Sequence, residues 1–520
     1  MKILILVDHL KGNGGWSRYS CYLAEGLKNL GHEVLCLVGQ KSEQDKIREK
    51  NVLSQPLRYL ANPFVISRTS WRVNKEIKRF KPEIIHFAVE PYALMLPFLN
   101  IGTAKTVLTI HGTYSTMPWL LESFLKRRFC RLLSNRTFQK LDKIISVSHF
   151  TKRHCLKYFS DLDEKIDLNA KIEVISNGID LSKHSIIDLS QKSENKDKRI
   201  LFVGAVKGRK GILEAIKALK CYYNNYSKDF IYEIVGQYEQ DEYYREIQKK
   251  IKDYNLEDKI FFRGRVSEQE LKDYYFKADL FIMLSIPSWR RLEGFGLVFL
   301  EANARGVPCL GSVNSGCQEA IKEGISGYSV DPSQPEETAL KIDLILNKKT
   351  IKPKNCIAWA QKNDYRLKIK QIIAVYQVKA IKLDIGCGKR KEPGFIGLDI
   401  DPESDADVIA SALDLPYKDE TVNEIQSIHL VEHLTPSECQ KFFSEIFRVL
   451  KKGGTAYVRP DRDWSRKRLL SKCSDHKHRY SDKELQKIIE PLGFRKAEVK
   501  TKIYQVGLRL YQKIFINLVK

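Results

Sequence analysis

Glu293 and Glu301 stand eight residues apart, with Gly294-Phe295-Gly296 after the first and Leu297-Val298-Phe299-Leu300 leading to the second. Two carboxylates so spaced can work as an acid/base pair or hold the two ends of one extended ligand. A helical path of eight residues covers roughly 12 Å, whereas the paired carboxylates of sugar hydrolases stand about 5 to 9.5 Å apart. The spacing therefore favours the extended ligand. Glycines let backbone N–H groups approach closely, and a helix N-terminus adds positive potential, so the stretch suits an anion, most often a phosphate, held without a metal. Standing alone, it would read rather as an ordinary capped helix with surface glutamates.

The elements around it must bring further groups to the same place. Residues 2–8 form an apolar run expected to be a buried strand, followed by the turn Gly12-Asn13-Gly14-Gly15, a helix from Ser20 to Leu30 and a strand from Glu33 to Val38. A Gly-rich loop at the carboxyl end of a first parallel strand lies where open α/β sheets bind ligands. Arg18 follows that loop and is either an acceptor or phosphate contact or a plain surface arginine. His111 ends the strand Thr106–Ile110, at the same kind of edge; a lone histidine there is more often structural. A charged, apolar-poor stretch, 191–198, reads as a linker. After it a strand at Arg199–Gly204 leads into Ala205-Val206-Lys207-Gly208-Arg209-Lys210-Gly211, and strands at 232–235, 260–263 and 280–284 alternate with helices, which predicts a second parallel sheet. Lys210, at the mouth of a Gly-flanked loop, is the expected β-phosphate ligand.

The E-x7-E spacing with its internal Gly-Phe-Gly, the Ala302-Asn303-Ala304-Arg305-Gly306-Val307-Pro308 tail and the loop and strand-end residues above, in that order, resemble retaining glycosyltransferase family 4 over roughly residues 1–375. The resemblance implies a GT-B architecture, two Rossmann-like doubly wound domains facing a cleft: 1–190 on the acceptor side, and 191–376 for the nucleotide-sugar with a helix returning to the first domain. It implies that Glu293 and His111 contact the donor sugar and that Glu301 contacts the ribose. The backbone of Gly14, Gly15, Gly294, Phe295, Gly296 and Leu297 would face sugar and diphosphate, with Lys210 on the phosphate. Glu293, His111 and Lys210 are the expected catalytic residues. The family carries an arginine five positions before the lysine, where this chain has Ala205; Lys207 and Arg209 are the cations available to replace it. Ser315-Gly316-Cys317-Gln318-Glu319 stands where the family has a Gly-Gly-x-x-Glu turn. No Asp-x-Asp lies in this region, so the reading needs no metal.

At about 378 the pattern restarts. A strand, Ile381–Ile385, enters Gly386-Cys387-Gly388, and a second strand, Phe395–Ile400, carries Asp399 at its end. A glycine turn after one strand and a carboxylate ending the next form a nucleoside grip, in which the acid takes ribose hydroxyls. With Leu415-Pro416, Ser427–Leu434 and Arg448–Gly454 the segment resembles class I S-adenosylmethionine-dependent methyltransferases. This implies a third Rossmann-like domain over 377–520 that holds S-adenosylmethionine through Asp384, Gly386, Gly388 and Asp399. Only two glycines of the usual three are present, the loop to the second strand is too short for a helix, and Ser411 replaces a common aspartate, so a compact variant is expected. Asp399-x-Asp401 has the form of a metal motif, but its strand position argues for ribose. His429 and His433 are either acceptor bases or packed and capping histidines. Residues 495–520 are expected to close the sheet as antiparallel strands.

The formal net charge of +24, spread along the chain, implies anionic partners, with a solvated basic surface as the plainer reading. No basic motif interleaved with aromatics is present, which excludes nucleic acid as a partner on these grounds. The basic stretch 118–143 either lies on an anionic bilayer or buries its apolar side in the first domain, and the second is favoured. The N-terminal apolar run is too short for a signal peptide and no long apolar segment occurs, so a cytoplasmic enzyme, soluble or peripheral at the inner face of the membrane, is expected. The function expected is bifunctional: retaining sugar transfer from a nucleotide-sugar to a glycan or lipid-linked acceptor, and methylation of the glycan, in surface polysaccharide or glycolipid assembly. The alternative is a methyltransferase-like domain that binds or scaffolds without turnover.

Overall fold

The structure, a computed structural model, describes residues 1–11, 14–41, 47–56, 62–112, 123–160, 168–183, 197–286, 292–377, 381–460, 477–478, 480–506 and 509–520. The chain divides into two compact units, Met1–Gln377 and Val378–Lys520. The expected turn residues Gly12 and Asn13, most of the 191–198 linker, and Trp119 and Leu120 of the basic stretch lie outside the described residues.

In the first unit, apolar runs that alternate with helices give two parallel sheets. One contains β1 (Lys2–Val7), β2 (Glu33–Val38), β3 (Arg48–Asn51), β4 (Ile84–Phe87), β5 (Lys105–Ile110), β6 (Lys143–Ser146) and β7 (Ile172–Val174), in the order β3-β2-β1-β4-β5-β6-β7. The other contains β8 (Lys198–Val203), β9 (Phe230–Val235), β10 (Ile260–Gly264), β11 (Leu280–Met283), β12 (Cys309–Ser312) and β13 (Gly327–Val330), in the order β10-β9-β8-β11-β12-β13. Strand order reverses beside β1 and beside β8, and the crevice at each reversal is where such sheets take ligands. This is the two-Rossmann GT-B arrangement. Ile3 to Val7 are fully buried, sandwiched between helices on both faces. The last helix, Tyr365–Gln377, packs on the Gly15–Asn29 helix of the first sheet's layer, with Tyr365 stacked on Tyr22 at 4.9 Å.

The second unit holds β14 (Lys382–Ile385), β15 (Ile396–Asp399), β16 (Val408–Ile409), β17 (Val422–Ile428), β18 (Leu450–Arg459), β19 (Lys496–Val506) and β20 (Arg509–Val519), in the order β16-β15-β14-β17-β18-β20-β19. Only β20 runs against its neighbours. Leu383, Ile385, Leu398, Ile425, Ala456, Val458, Ile516 and Leu518 alternate onto one core with Phe442, Phe443 and Ile446 of the Pro436–Val449 helix and Leu485 of the Asp482–Ile489 helix. No helix separates β14 from β15 or β15 from β16. The period-two pattern of these strands fits a sheet covered by helices on one face.

The basic stretch buries one side in the first domain, as favoured, but that side does not include all of its large apolar residues. The basic helix is observed at Phe124–Lys140, and it buries Cys130, Leu133, Ser134, Thr137 and Phe138, whereas Phe124, Leu125 and Leu132 face outward. Leu133 and Phe138 join the core beside the small Ser134 and Thr137, while the large apolar side chains at the start of the helix stay outside.

Candidate active site

The loop after β8 makes a single 3-10 turn, Gly208–Lys210, stopped by Gly211 in the left-handed region at φ 67°. A Cβ at Gly211 would stand 1.7 Å from the Leu284 carbonyl oxygen, so only glycine lets this loop lie against the end of β11. The turn aims Lys210 and Arg209 at one carboxylate oxygen of Glu293: Lys210 donates at 2.5 Å and Arg209 at 2.7 Å. Burial alone would raise the Glu293 carboxyl, but the two cations outweigh it and hold it at about 2. Glu293 is therefore ionised at every working pH, in a cluster that carries one net positive charge. Lys207, the other candidate, pairs instead with Glu239 at 3.7 Å and is half-exposed.

Gly294 touches the opposite half of the unit. A Cβ there would stand 1.9 Å from the His111 carbonyl oxygen, and Thr151 donates to the Gly294 carbonyl at 3.3 Å. The Glu293 carbonyl accepts from the Gly316 amide at 3.0 Å. Gly296, at φ 85°, opens a helix of only seven residues, Leu297–Asn303. Gly306 and Pro308 follow closely on its end, and in so short a helix the loop amides contribute more than the dipole. Phe295 and Leu297 are buried, and side chains of neither reach polar partners. Gly14 and Gly15 begin the helix after β1, and a Cβ at Gly15 would meet nothing within 4 Å.

His111 is buried and burial pushes its imidazole down to about 4, so it is neutral. Its Nε2 donates to the Ala88 carbonyl at 3.0 Å, which leaves Nδ1 as the ring's acceptor. Its backbone N–H donates at 2.5 Å to Glu90, a carboxyl that burial raises to about 7. Behind it runs a buried chain: Tyr376 to His86 Nδ1 at 2.5 Å, His86 Nε2 to Thr109 at 2.7 Å, and Thr109 to Tyr19 at 2.7 Å, with the Tyr19 ring edge-on to His111. Glu90 was not singled out from sequence, although it stands just past the end of β4, where the strand-end rule that found His111 also applies.

Glu301 is brought to the cleft but is not free there. It is 2% exposed, and its carboxylate accepts from Arg18 of the first sheet's layer and from Tyr275 at 3.2 Å. Arg18, about a quarter exposed, is thus paired with a buried carboxylate. Arg305 donates to the Glu301 carbonyl at 3.1 Å and lies over the Tyr275 ring. Glu319 also crosses the cleft: its carboxylate accepts from the amides of His149 and Phe150, both at 2.8 Å, and so caps the His149–Ser160 helix. Pro287 to Arg291 lie outside the described residues.

In the second unit Gly386 and Gly388 both adopt left-handed backbone, at φ 72° and 54°, and the space a Cβ would take at Gly388 is open. The Gly388 amide donates to Asp399 at 2.8 Å, and the Asp401 amide donates to the other oxygen at 3.0 Å. A carboxylate accepts about four bonds, so Asp399 can hold the turn and still take two hydroxyls. Asp384 accepts from the Glu392 amide at 2.8 Å, and burial raises its carboxyl. These residues fit a nucleoside-bearing cofactor at the reversal beside β14. His429 sits at φ 64° at the end of β17, 3.4 Å from the buried Glu432. Among the described residues, no group of three or more His, Cys, Asp or Glu side chains is placed to hold a metal ion.

Three families match the chain: "Glycosyltransferase Family 4" over residues 13–183, "Glycosyl transferases group 1" over 186–363 and "Methyltransferase domain" over 383–458. An uncharacterized glycosyltransferase of Methanocaldococcus jannaschii is 26% identical over 356 residues, covering 64% of this chain and 85% of the relative. The O-antigen chain mannosyltransferase RfbU of Salmonella typhimurium is 26% identical over 291 residues, covering 54% and 74%. Among solved structures, a Rickettsia africae glycosyltransferase is similar with a TM-score of 0.56 at 23% identity, covering 72% of this chain and 97% of that one. Anabaena HepE in complex with UDP and glucose gives 0.55 at 18%, covering 72% and 99%. At these identities the two structures speak for the fold.

Proposed function

We propose that this chain, which belongs to glycosyltransferase family 4 and carries a methyltransferase domain behind it, transfers a sugar from a nucleotide-sugar to a glycan or lipid-linked acceptor with retention of configuration, and methylates the glycan product. The observation that carries the first half is the Lys210–Arg209–Glu293 cluster beside His111. As the bond from sugar to nucleotide breaks, negative charge grows on the departing diphosphate. Lys210, Arg209 and the amides of Gly294 to Leu297 are fixed in place before that charge appears and favour it over the ground state. The ionised Glu293 accepts hydroxyls of the sugar, and neutral His111 offers Nδ1 to another. Glu301 takes the ribose once Arg18 has let go of it. The O-antigen role named for the Salmonella relative supports polysaccharide assembly as the setting and puts mannose among the donors to test first.

In the second unit, S-adenosylmethionine supplies an electrophilic methyl group when bound. Asp399 would hold its ribose, the turn at Gly386 and Gly388 would admit it closely, and His429 and His433 are the candidate bases for an acceptor hydroxyl. A second reading has this unit bind without turnover. It is favoured by the short turn after β14, which leads to β15 with no helix between them.

A thermal-shift panel of UDP-, GDP-, ADP- and dTDP-sugars with S-adenosylmethionine tests both readings. A ligand at 100 times its Kd stabilises its unit by about 2.7 kcal/mol. One nucleotide-sugar and the methyl donor each raising a separate transition support two working sites. No shift from any nucleotide-sugar refutes the transfer reading, and none from the methyl donor refutes the methylation reading.

A further inference from the structure

On one face of the first sheet the Pro63–Phe80 helix, the 3-10 turn Glu90–Phe98 and the Phe124–Lys140 helix lie side by side. Ile66, Val73, Ile77, Leu94, Leu96, Leu133 and Phe138 from the three elements share one core. Asn74 donates to the Phe98 carbonyl at 3.0 Å and Thr137 to the Ala93 carbonyl at 3.2 Å, which tie each helix to the turn between them. The outer side of this layer is unusual in two ways that reinforce each other.

First, it is apolar where water should be. Phe64, Trp71, Phe98, Phe124, Leu125 and Leu132 are 85, 66, 45, 68, 75 and 51% exposed, six of the fourteen large exposed apolar side chains among the described residues. Every exposed Phe and Trp among the described residues is on this layer. Scattered single apolar side chains need no explanation, but a concentration of aromatics on adjoining elements does.

Second, the same layer is cationic. The two helices carry eleven lysines and arginines and one acid, Glu76. Glu76 is buried and paired with Lys50 and Arg79, so among the eleven cations of the two helices it offsets Arg79 alone. Arg68, Arg72, Lys75, Lys78, Arg128 and Arg136 are exposed between the aromatics, and the Lys75 ammonium lies 5.2 Å from the centre of the Trp71 ring. Such a surface repels a second copy of itself. Aromatic rings flanked by long cationic side chains match the boundary of an anionic bilayer, where rings enter among the acyl chains and ammonium and guanidinium groups stay at the phosphates.

We propose that the outer face of this layer docks the protein on an anionic lipid surface. The cleft beside β1 and β4 is then held at the height where a lipid-linked acceptor presents its head group. The docking itself stands on the layer alone and needs no sugar transfer.

The test is co-sedimentation of the full chain with vesicles of phosphatidylcholine, alone or with about one third phosphatidylglycerol, at physiological salt and at about 1 M, where the Debye length shrinks to about 3 Å. Binding to the anionic vesicles, weakened by salt and weak on neutral ones, is expected. Arg128→Gln with Arg136→Gln should weaken binding about 25-fold, roughly fivefold for each cation. Trp71→Ala with Phe124→Ala should weaken it about tenfold or more, with unchanged circular dichroism and an unchanged thermal shift by the nucleotide-sugar. No binding to anionic vesicles, or equal binding to neutral ones, overturns the proposal. So does binding that a soluble polyanion displaces and the aromatic substitutions leave unaltered, which marks a polyanion site. Because vesicle binding involves no turnover, its failure leaves the transfer reading standing, and the converse also holds.

Discussion

Arg209→Ala isolates the charge logic of the donor site. In the native cluster Glu293 contributes one negative charge and Lys210 and Arg209 two positive ones, all within 2.7 Å of one oxygen. A diphosphate arriving there meets one net positive charge, and removal of Arg209 leaves none. At about 6 Å and an effective dielectric of about 20, one unit charge is worth roughly 2.8 kcal/mol per phosphate charge, reduced by water in an open cleft. A loss of about 2 to 3 kcal/mol, or roughly 30- to 150-fold in affinity, follows for the nucleoside diphosphate. The Glu293 carboxyl must also rise from about 2 toward the usual range, because the other cation alone opposes its burial. Lys207→Ala is the control, since Lys207 faces Glu239 and should change affinity by less than about threefold, as a surface pair does. Calorimetric titration of the wild type and both variants with the diphosphate that the thermal panel selects gives the numbers. An Arg209→Ala affinity equal to wild type, or a Lys207→Ala loss as large as that of Arg209→Ala, refutes the assignment of Arg209 to the place left by Ala205.

Gly294→Ala would press a methyl group to 1.9 Å from the His111 carbonyl, so the two halves of the unit must part; sugar transfer should fall at least about 100-fold while the melting temperature of the second unit stays constant. Glu319→Ala removes a charge-assisted cap from the His149–Ser160 helix across the cleft, worth about 1 to 2 kcal/mol, and should lower the first transition by a few degrees, whereas an unchanged transition would show that the cap contributes nothing. Burial keeps His86 and His111 neutral, with imidazoles pushed down to about 3 and about 4. Their folded values are depressed below the ordinary 6.5, so the stability they carry is present above pH 6.5 and is lost as the pH falls toward 4. Each contributes about 3 kcal/mol over that window, and His86→Gln should roughly halve the pH dependence of the first unit's melting; a slope unchanged by the substitution contradicts this.

Much of the fold was legible because its signals are local. Apolar runs of strand length, glycine at each first turn and the restart at Ile381 lead to three sheets, and the alternation at Lys496–Val506 marks the closing strands. Lys210 and Glu293 were legible as members of one site only through the motif, since 83 positions separate them. What stayed hidden is pairing across the cleft. Arg18 and Glu301 are 283 positions apart and Glu319 is 170 from His149, and no periodicity in either segment encodes which side chain the other half will present. That one side of the Phe124–Lys140 helix is buried was legible, but not which side chains: the sheet layer takes Leu133, Ser134, Thr137 and Phe138 and leaves Phe124 and Leu125 outside. Arg209 lacked any motif of its own, and only the turn geometry separates it from Lys207.

The central claim, that Glu293 and its two cations form a working sugar-transfer site, is tested most directly by release of nucleoside diphosphate from the donor panel, for wild type, Glu293→Gln and Lys210→Ala. One donor should be turned over by the wild type, and both substitutions should reduce that turnover by about 100-fold or more with the fold retained. Turnover that survives Glu293→Gln, or a wild type inert toward every donor in the presence of a lipid-linked glycan acceptor, would contradict it.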